Sequence, residues 1–198
     1  MNLKVTTAMP AVAALLISGS GDALAPTVSE FCRVPMVHAL AGPALDEVQQ
    51  ALAEHLSRRY TVAASQTERF VAIAYRAGQE VGLDPLLVLA VISVESRFNP
   101  IAESGMGAKG LMQIIPKYHR GQLARLGGGE EAVLDPENNI VAGTRILKEY
   151  VQRMGTLQGG LQFYSGAPGD SSARYARKVF AEHRRLEAVA RAAESGSV

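Results

Sequence analysis

One of the most apolar stretches of the chain covers residues 86–94 and ends at an acidic residue, Glu95. The start of this stretch favours a helix, because Asp84 can cap it and Pro85 suits the first helical position. Its β-branched residues would also suit a buried strand, and periodicity alone does not separate the two. We expect a helix from Pro85 to about Ser96, apolar on nearly all sides and therefore central to a core.

Polar and apolar positions recur at helical spacing in four further segments. They cover residues 44–60, residues 67–81 before Gly82, residues 136–154 before Gly155, and a last segment that starts at Ser171 or Ser172. Residues 61–66 indicate a linker. No segment alternates convincingly with period two and nothing repeats internally, so the predicted fold class is mainly α. The first of these helices either packs on the rest of the domain or serves as a docking arm, and packing is our expectation.

The carboxyl group of Glu95 stands at the edge of the predicted core, where it loses hydration, and lost hydration disfavours the charged form. If the preceding stretch is a helix, Glu95 lies in its last turn, where the negative end of the macrodipole disfavours the anion further. Both effects raise the pKa of the carboxyl group. A raised pKa is what a general acid needs near neutral pH, so Glu95 is the candidate catalytic residue.

The composition is that of a folded domain, with 198 residues of which 47% are hydrophobic and 20% are charged. A net charge of +1 gives no global reason to expect nucleic acid as a partner. The four histidines are scattered without a spacing that suits metal ligation, so we expect neither a metal nor a cofactor. The single cysteine, Cys32, excludes an internal disulfide.

Five blocks carry a resemblance to a known family. The chain reads ESRFNP at 95–100, GAKGLMQIIP at 107–116, DPENNIVAG at 135–143, YSGAPG at 164–169 and YARKV at 175–179. In this order the blocks resemble the soluble lytic transglycosylase family, which shares a lysozyme-like catalytic domain with goose-type lysozymes. The family usually has Ala-Tyr-Asn-Ala-Gly where this chain has residues 163–167, so Tyr164 is kept and Ser165 replaces the asparagine.

The resemblance implies a peptidoglycan lytic transglycosylase. Such an enzyme cleaves the β-1,4 bond between N-acetylmuramic acid (MurNAc) and N-acetylglucosamine (GlcNAc) and leaves a 1,6-anhydromuramoyl product. Glu95 would be catalytic, Ser104 and Gln113 would hydrogen-bond the N-acetyl and sugar groups, and Tyr164 and Tyr175 would line the cleft. Two of these have structural alternatives, because Tyr175 could simply be core and Gln113 could only tie down its turn.

A single carboxyl group has to suffice in this interpretation, whereas an ordinary glycosidase uses two. Between Glu95 and Pro116 the other acidic residue is Glu103, which we expect on the surface. One acid is enough when the N-acetyl group of MurNAc attacks its own anomeric carbon, a substrate-assisted exception. Two rival functions stay open: a goose-type muramidase, in which water attacks, and a non-catalytic cell-wall or secretion-assembly component that keeps the fold as a scaffold.

The glycine-rich turn behind Glu95 also matches another motif. Gly105, Gly107 and Gly110 fit the dinucleotide-binding fingerprint, and Glu130 follows at about the spacing of the ribose-binding acid. That fingerprint requires a strand directly before its first glycine and repeated strand–helix units, and the sequence has neither. We interpret the glycines instead as positions where the backbone approaches a sugar ring closely, since they have no Cβ.

Residues 1–25 indicate a signal peptide, because one lysine precedes a short apolar stretch and residues 23–25 resemble a cleavage site. The cut could also fall earlier, near residues 18–21, and the alternative is an apolar N-terminus on a cytoplasmic protein. Residues 26–65 would form an N-terminal helical extension and linker, and residues 66–194 the lysozyme-like transglycosylase domain. We expect an exported, periplasmic monomer acting on peptidoglycan strands, and a cell-envelope secretion or assembly machine is a further candidate partner.

Overall fold

The structure, a computed structural model, describes residues 44–127 and 130–196, which belong to one unit, Ala41–Val198. The α-helices are α1 (Glu47–Tyr60), α2 (Ala64–Val81), α3 (Pro85–Glu95), α4 (Arg120–Ala124), α5 (Pro136–Met154), α6 (Leu157–Tyr164) and α7 (Arg174–Gly196). Short 3₁₀ helices occupy Pro116–Tyr118 and Glu130–Leu134. The described part of the chain contains no named strand, which confirms the mainly α fold class, and none of its helices is long and apolar enough to cross a membrane. The predicted signal peptide and Cys32 lie outside it.

Helix α3 forms because its start carries both predicted signals. The Asp84 side chain accepts a hydrogen bond from the Leu86 N–H, and Pro85 occupies the first turn. Residues 87–93 are all buried, so the helix lies inside the core and the strand alternative is wrong. Helices α2 and α7 pack directly against α3, and α5 packs against α2. Glu95 is the last residue of α3.

Helix α1 belongs to the same hydrophobic core. Leu52 and Leu56 are fully buried, and the helix packs against α2 and α7. The packing expectation is therefore confirmed and the docking-arm alternative is wrong. A boundary between an extension and a catalytic domain at residues 65 and 66 stays a prediction.

Two expectations about element boundaries need correction, and several short elements were not predicted. Helix α2 begins at Ala64, inside the predicted linker, because the Ala63 carbonyl already accepts the first helical hydrogen bonds. Helix α7 begins at Arg174 rather than at Ser171 or Ser172, since the Asp170 carboxylate accepts the backbone N–H groups of Ser172 and Arg174 and holds the preceding residues in a turn. Helices α4 and α6 and the 3₁₀ helices were not predicted.

A sharp turn follows α3. Arg97 and Phe98 have left-handed backbones, with φ of 53° and 63°, a conformation that costs a non-glycine residue about 1–2 kcal/mol. Burial offsets this cost, because Phe98 is fully buried and its ring stacks on Tyr60 with a centroid distance of 5.5 Å. The turn fixes the end of α3, and with it the position of Glu95.

Candidate active site

Glu95 is half-buried at the C-terminal end of α3, and its side chain is hydrogen-bonded by a residue of another helix. The Tyr175 hydroxyl, in the first turn of α7, donates a hydrogen bond of 2.5 Å to Glu95 Oε1. Burial raises the pKa of Glu95 from its ordinary value of 4.5 to about 7, and the hydrogen bond from Tyr175 opposes part of this rise. The carboxyl group therefore exchanges its proton close to neutral pH, as the sequence predicted.

Two tyrosines flank this carboxyl group. Burial raises the pKa of Tyr175 well above its ordinary value, and the negative charge of Glu95 raises it further. The pKa of Tyr164 is raised by the same two causes in the same order, so its hydroxyl also stands within the electrostatic reach of Glu95. Both phenols stay protonated and can donate hydrogen bonds. The structure thus brings together Glu95, Tyr164 and Tyr175, from α3, α6 and α7.

Ser104 and Gln113 are used by the glycine-rich turn itself. Ser104 Oγ accepts the Ala108 N–H at 3.0 Å. The side-chain amide of Gln113 donates to the carbonyl oxygens of Ala102 and Gly110, both at 3.0 Å. The amide nitrogen of Gln113 therefore ties down the turn, which is the structural alternative named for this residue. The sugar-binding roles of Ser104 and Gln113 stay predictions.

Asn139 holds the glycine-rich turn against α5, and sequence reasoning missed it. This buried side chain accepts the Met112 N–H at 2.7 Å and donates to the carbonyl oxygens of Lys109 and Val133 at 2.9 and 2.8 Å. A Cβ on Gly110 would lie 2.3 Å from its amide nitrogen. Gly110 is therefore required by packing, while its interpretation as a point of sugar approach stays a prediction. The sequence does contain one sign of this role, because Asn139 is a polar residue on the apolar face of α5.

Tyr164 closes the same turn from the other side. Its hydroxyl donates a hydrogen bond of 2.8 Å to the Met112 carbonyl oxygen, so that Met112 is held through both its N–H and its C=O. Tyr164 thereby connects the turn to the environment of Glu95.

Glu103, the other acidic residue of this region, is exposed as predicted. Its carboxylate pairs with Lys109 at 3.5 Å, with 60% of the Glu103 side chain exposed. Burial accounts for the raised pKa of Glu95, without a contribution from Glu103. Within residues 44–127 and 130–196, no cluster of histidine, cysteine, aspartate and glutamate could hold a metal ion.

A pocket of about 230 Å³ adjoins the turn. Gln113 and Tyr164 line it, but Glu95 and Tyr175 do not. Its other aromatic side chains are Tyr118, His119, Tyr150 and Phe163, which no pattern of the sequence groups together. Tyr118 and His119 are neighbours in the chain, whereas Tyr150 lies in α5 and Phe163 in α6, and the fold brings the two later residues to the first pair.

Comparisons with known proteins agree with the geometry. The chain is 35% identical over 103 residues to the "Transglycosylase" of Enterobacteria phage PRD1, an alignment that covers 52% of this chain and 36% of the phage protein. It is 32% identical over 103 residues to the "Membrane-bound lytic murein transglycosylase C" of Sodalis glossinidius, covering 50% of this chain and 27% of that protein. The chain thus spans roughly a quarter to a third of the length of these relatives.

Among solved structures, an inactive glutamate-to-glutamine mutant of the lytic transglycosylase Slt of Pseudomonas aeruginosa matches with a TM-score of 0.53 and 20% identity, over 58% of this chain and 23% of that one. This likeness concerns the fold, and it confirms the predicted lysozyme-like architecture. The family description "Transglycosylase SLT domain" matches residues 72–182, which is more than half of the chain. The chain therefore belongs to the transglycosylase SLT family.

Proposed function

We propose that the protein is a peptidoglycan lytic transglycosylase that cleaves the MurNAc–GlcNAc β-1,4 bond and forms a 1,6-anhydromuramoyl end. The observation that carries the proposal is the half-buried carboxyl group of Glu95, whose pKa burial raises to about 7 and which receives a hydrogen bond from Tyr175. Membership of the transglycosylase SLT family supports the same activity.

In the first step, protonated Glu95 donates its proton to the glycosidic oxygen. The bond between the MurNAc anomeric carbon and that oxygen breaks, and GlcNAc leaves with a neutral hydroxyl group. The N-acetyl carbonyl oxygen of MurNAc attacks the anomeric carbon in place of a protein nucleophile. Glu95 is left as a carboxylate, and the Tyr175 hydrogen bond stabilises this charged form.

In the second step, the Glu95 carboxylate takes the proton of the MurNAc C6 hydroxyl. The C6 oxygen then attacks the anomeric carbon, displaces the N-acetyl oxygen and closes the anhydro ring. Glu95 regains its proton and no water is consumed. A pKa near 7 suits both steps, because the acid and the base forms of one residue are each populated near neutral pH.

The surroundings of Glu95 support a one-carboxylate mechanism. Glu103 is exposed and paired with Lys109, which leaves it unsuited to activate water at the bond that Glu95 would protonate. General acid–base help of this kind contributes on the order of 10²–10⁴-fold, so positioning of the strand has to supply the rest. Ser104, Gln113, Tyr164 and Tyr175 are the residues we propose to contact the strand.

The relatives support the substrate and the location. One is named a membrane-bound lytic murein transglycosylase, and the solved structure is an inactive glutamate-to-glutamine mutant of a lytic transglycosylase. We propose that peptidoglycan strands are the substrate and that the protein acts in the cell envelope after export to the periplasm. Monomeric action is part of this proposal, and a secretion or assembly machine is the protein partner we would test first.

Mass spectrometry of digested peptidoglycan tests the proposal, run on the wild-type protein and Glu95→Gln in parallel. The wild type should yield 1,6-anhydromuramoyl ends, and the variant should yield almost none. Reducing-end muramic acid would instead establish a muramidase. If the wild type releases no glycan fragment, and Glu95→Gln keeps the cellular role, the protein acts as a scaffold.

A further inference from the structure

The last helix, α7, exposes a positively charged face that the proposed mechanism does not use. We define the basic face as five exposed residues on one side of this helix, which are Arg177, Lys178, Ala181, Arg184 and Ala188. At about 100° of rotation per residue, its three cations fall within an arc of about 120°, and they span about 10 Å of the helix axis. The face thus presents three positive charges on one rigid element.

The charged groups of Arg177, Lys178 and Arg184 make no ion pair or hydrogen bond within residues 44–127 and 130–196. Glu182 follows Lys178 by one helical turn, a spacing at which the two could pair. The Glu182 carboxylate instead accepts hydrogen bonds from Arg59 and Arg185, at 3.1 and 2.5 Å. Lys178 is therefore left without the partner that its own helix could supply.

The other two acidic residues of α7 do not neutralise the basic face either. Glu187 follows Arg184 by three residues, but its carboxylate lies 3.9 Å from the Arg191 guanidinium and 3.8 Å from the His183 ring. Glu194 lies about 15 Å farther along the helix axis than Arg184. The positive charges of the basic face are thus available to a partner of negative charge.

Exposed arginines on α2 and α5 are paired, in contrast to those of the basic face. Arg69 and Arg76 of α2 both contact the Glu137 carboxylate of α5. Arg145 of α5 contacts the Glu80 carboxylate of α2 at 3.5 Å. The whole chain has a net charge of only +1, so attraction of a polyanion has to come from a local surplus of positive charge. The basic face is such a surplus.

The side chains of the basic face indicate the kind of anion that fits it. A guanidinium group pairs with a carboxylate through two parallel hydrogen bonds, and the two alanines let a partner approach the helix closely. The large apolar residues Val179 and Leu186 of α7 are buried in the core, so the face offers a lipid bilayer no apolar side chain to insert. A polymer with repeated carboxylates fits better. Peptidoglycan, the proposed substrate, carries carboxylates on its stem peptides.

The basic face lies apart from the cleft around Glu95. Tyr175, which hydrogen-bonds Glu95, stands about 120° around α7 from Ala181, the middle of the face. A stem peptide on the basic face therefore does not occupy the place of the glycosidic bond at Glu95. The two surfaces can engage different parts of one cross-linked polymer.

We propose that the basic face of α7 binds the stem-peptide carboxylates of peptidoglycan and holds the protein on the polymer. The inference rests on the proposed function for the identity of the polymer. Arg177 and Arg184 pair with carboxylates, and Lys178 adds a point charge between them. Because these side chains are exposed, the attraction is screened by salt and weakens as ionic strength rises.

Co-sedimentation with insoluble peptidoglycan tests the inference. The full chain carries Glu95→Gln so that the polymer stays intact, and the basic-face variant adds Arg177→Gln, Lys178→Gln and Arg184→Gln. The loss of three exposed ionic contacts should weaken binding roughly tenfold at low ionic strength. Equal binding with and without these three substitutions overturns the inference.

The matched control adds Arg69→Gln, Arg76→Gln and Arg145→Gln to Glu95→Gln. It removes three exposed positive charges from α2 and α5, so the net charge falls as much as in the basic-face variant. Its binding should equal that of Glu95→Gln alone, and circular dichroism checks that every variant is folded. A comparable loss of binding in the control would mean that net charge attracts the polymer, which overturns the inference.

Chemically amidated peptidoglycan identifies the ligand. Amidation neutralises the stem-peptide carboxylates and keeps the glycan, so it should abolish the difference between Glu95→Gln and the basic-face variant. A difference that persists on the amidated polymer overturns the inference. Vesicles of phosphatidylglycerol and phosphatidylcholine test a lipid partner. Binding to these vesicles that depends on the basic face, without such dependence on untreated peptidoglycan, would assign the face to a membrane instead.

These binding measurements are independent of the digestion products. If the wild type releases anhydro ends and the basic-face substitutions do not change sedimentation, the inference fails and the proposed activity stands. If sedimentation depends on the basic face and the wild type forms no anhydro ends, the proposed activity fails and the binding surface stands.

Discussion

Helix α3 carries a carboxyl group at each end, and α7 contacts both of them. At the N-terminal end, Asp84 Oδ2 lies 2.5 Å from His183 Nε2, and Asp84 Oδ1 accepts the Leu86 N–H. At the C-terminal end, Glu95 Oε1 accepts the Tyr175 hydroxyl at 2.5 Å. Two contacts of 2.5 Å thus connect α3 with α7, and the carboxyl groups in them differ in their exposure to solvent and in their position in the helix dipole.

The two surroundings give the carboxyl groups different roles. The Asp84 side chain is 47% exposed and stands at the positive end of the helix dipole, where an anion is stabilised and caps the helix. Glu95 is half-buried at the negative end, and its partner is a neutral phenol. One end of the helix therefore supports a structural carboxylate, whereas the other raises the pKa of its carboxyl group to about 7 and prepares it for proton transfer.

The largest contrast is expected in activity. Glu95→Gln removes the proton that the leaving oxygen needs, so the rate of peptidoglycan cleavage should fall on the order of 10²–10⁴-fold. Glu103→Gln is the matched control, because it removes an exposed carboxylate from the same region and should leave the rate close to that of the wild type. Turbidity loss of purified peptidoglycan measures both variants. Comparable losses in the two variants would remove the distinction between Glu95 and an ordinary surface acid.

The second contrast concerns the pH dependence of stability. The pKa of Glu95 is about 7 in the folded chain against 4.5 ordinarily, so the folded state binds more protons between these values. The free energy of unfolding should therefore decrease as pH rises from about 4.5 through 7, by on the order of 2–3 kcal/mol. Glu95→Gln should abolish this part of the slope in urea unfolding curves, whereas Glu103→Gln should retain it. Parallel curves for the wild type and Glu95→Gln would contradict a desolvated carboxyl group.

Most of the fold could be predicted where the signals are local. Helices α3 and α5 have an aspartate cap followed by proline, and these signals depend only on neighbours in the chain. Helix α6 was missed because it is eight residues long and contains two glycines, so its stability comes from packing against α5 rather than from propensity. The start of α7 was misplaced because the Asp170 side chain competes for the backbone there.

The residues of the candidate site also divide into those that the sequence could predict and those that it could not. Glu95 could be found from its place at the end of an apolar stretch, and Tyr164 and Tyr175 from the family resemblance. Asn139 and the aromatic lining of the pocket could not, because their positions depend on contacts between residues far apart in sequence, such as Asn139 with Met112 and Tyr150 with His119. A helical pattern marks such residues as buried or exposed, but it does not say which partners they meet.

The third contrast tests the other end of α3. Asp84→Ala removes the cap and the contact with His183, so stability should fall by about 1–2 kcal/mol in denaturant unfolding. Asp84→Asn keeps a capping oxygen and should lose less, since an exposed ion pair contributes little. Neither change should alter the cleavage rate much, because Asp84 and Glu95 are separated by about 16 Å along the helix. A large rate loss in the folded Asp84→Asn variant would show that the two ends are not independent.

The smallest effect is expected from Tyr175→Phe, and it isolates the partner of Glu95. The phenol donates to the charged carboxylate and so lowers the pKa of Glu95 against the effect of burial. Its removal should raise that pKa, and the alkaline fall of the pH–rate profile, where the acid form is lost, should move upward by up to about one pH unit.

Tyr164→Phe is the matched control for this shift. Its hydroxyl donates to the Met112 carbonyl oxygen rather than to Glu95, so its loss should cost stability, about 1 kcal/mol, without moving the alkaline limb. An alkaline limb that moves downward in Tyr175→Phe would mean that the phenol stabilises the neutral acid instead. The raised pKa of Glu95 would then come from the hydrogen bond with Tyr175 as well as from burial at the end of α3. Glu95 and Asp84 would differ in their hydrogen-bond partners as much as in their exposure to solvent.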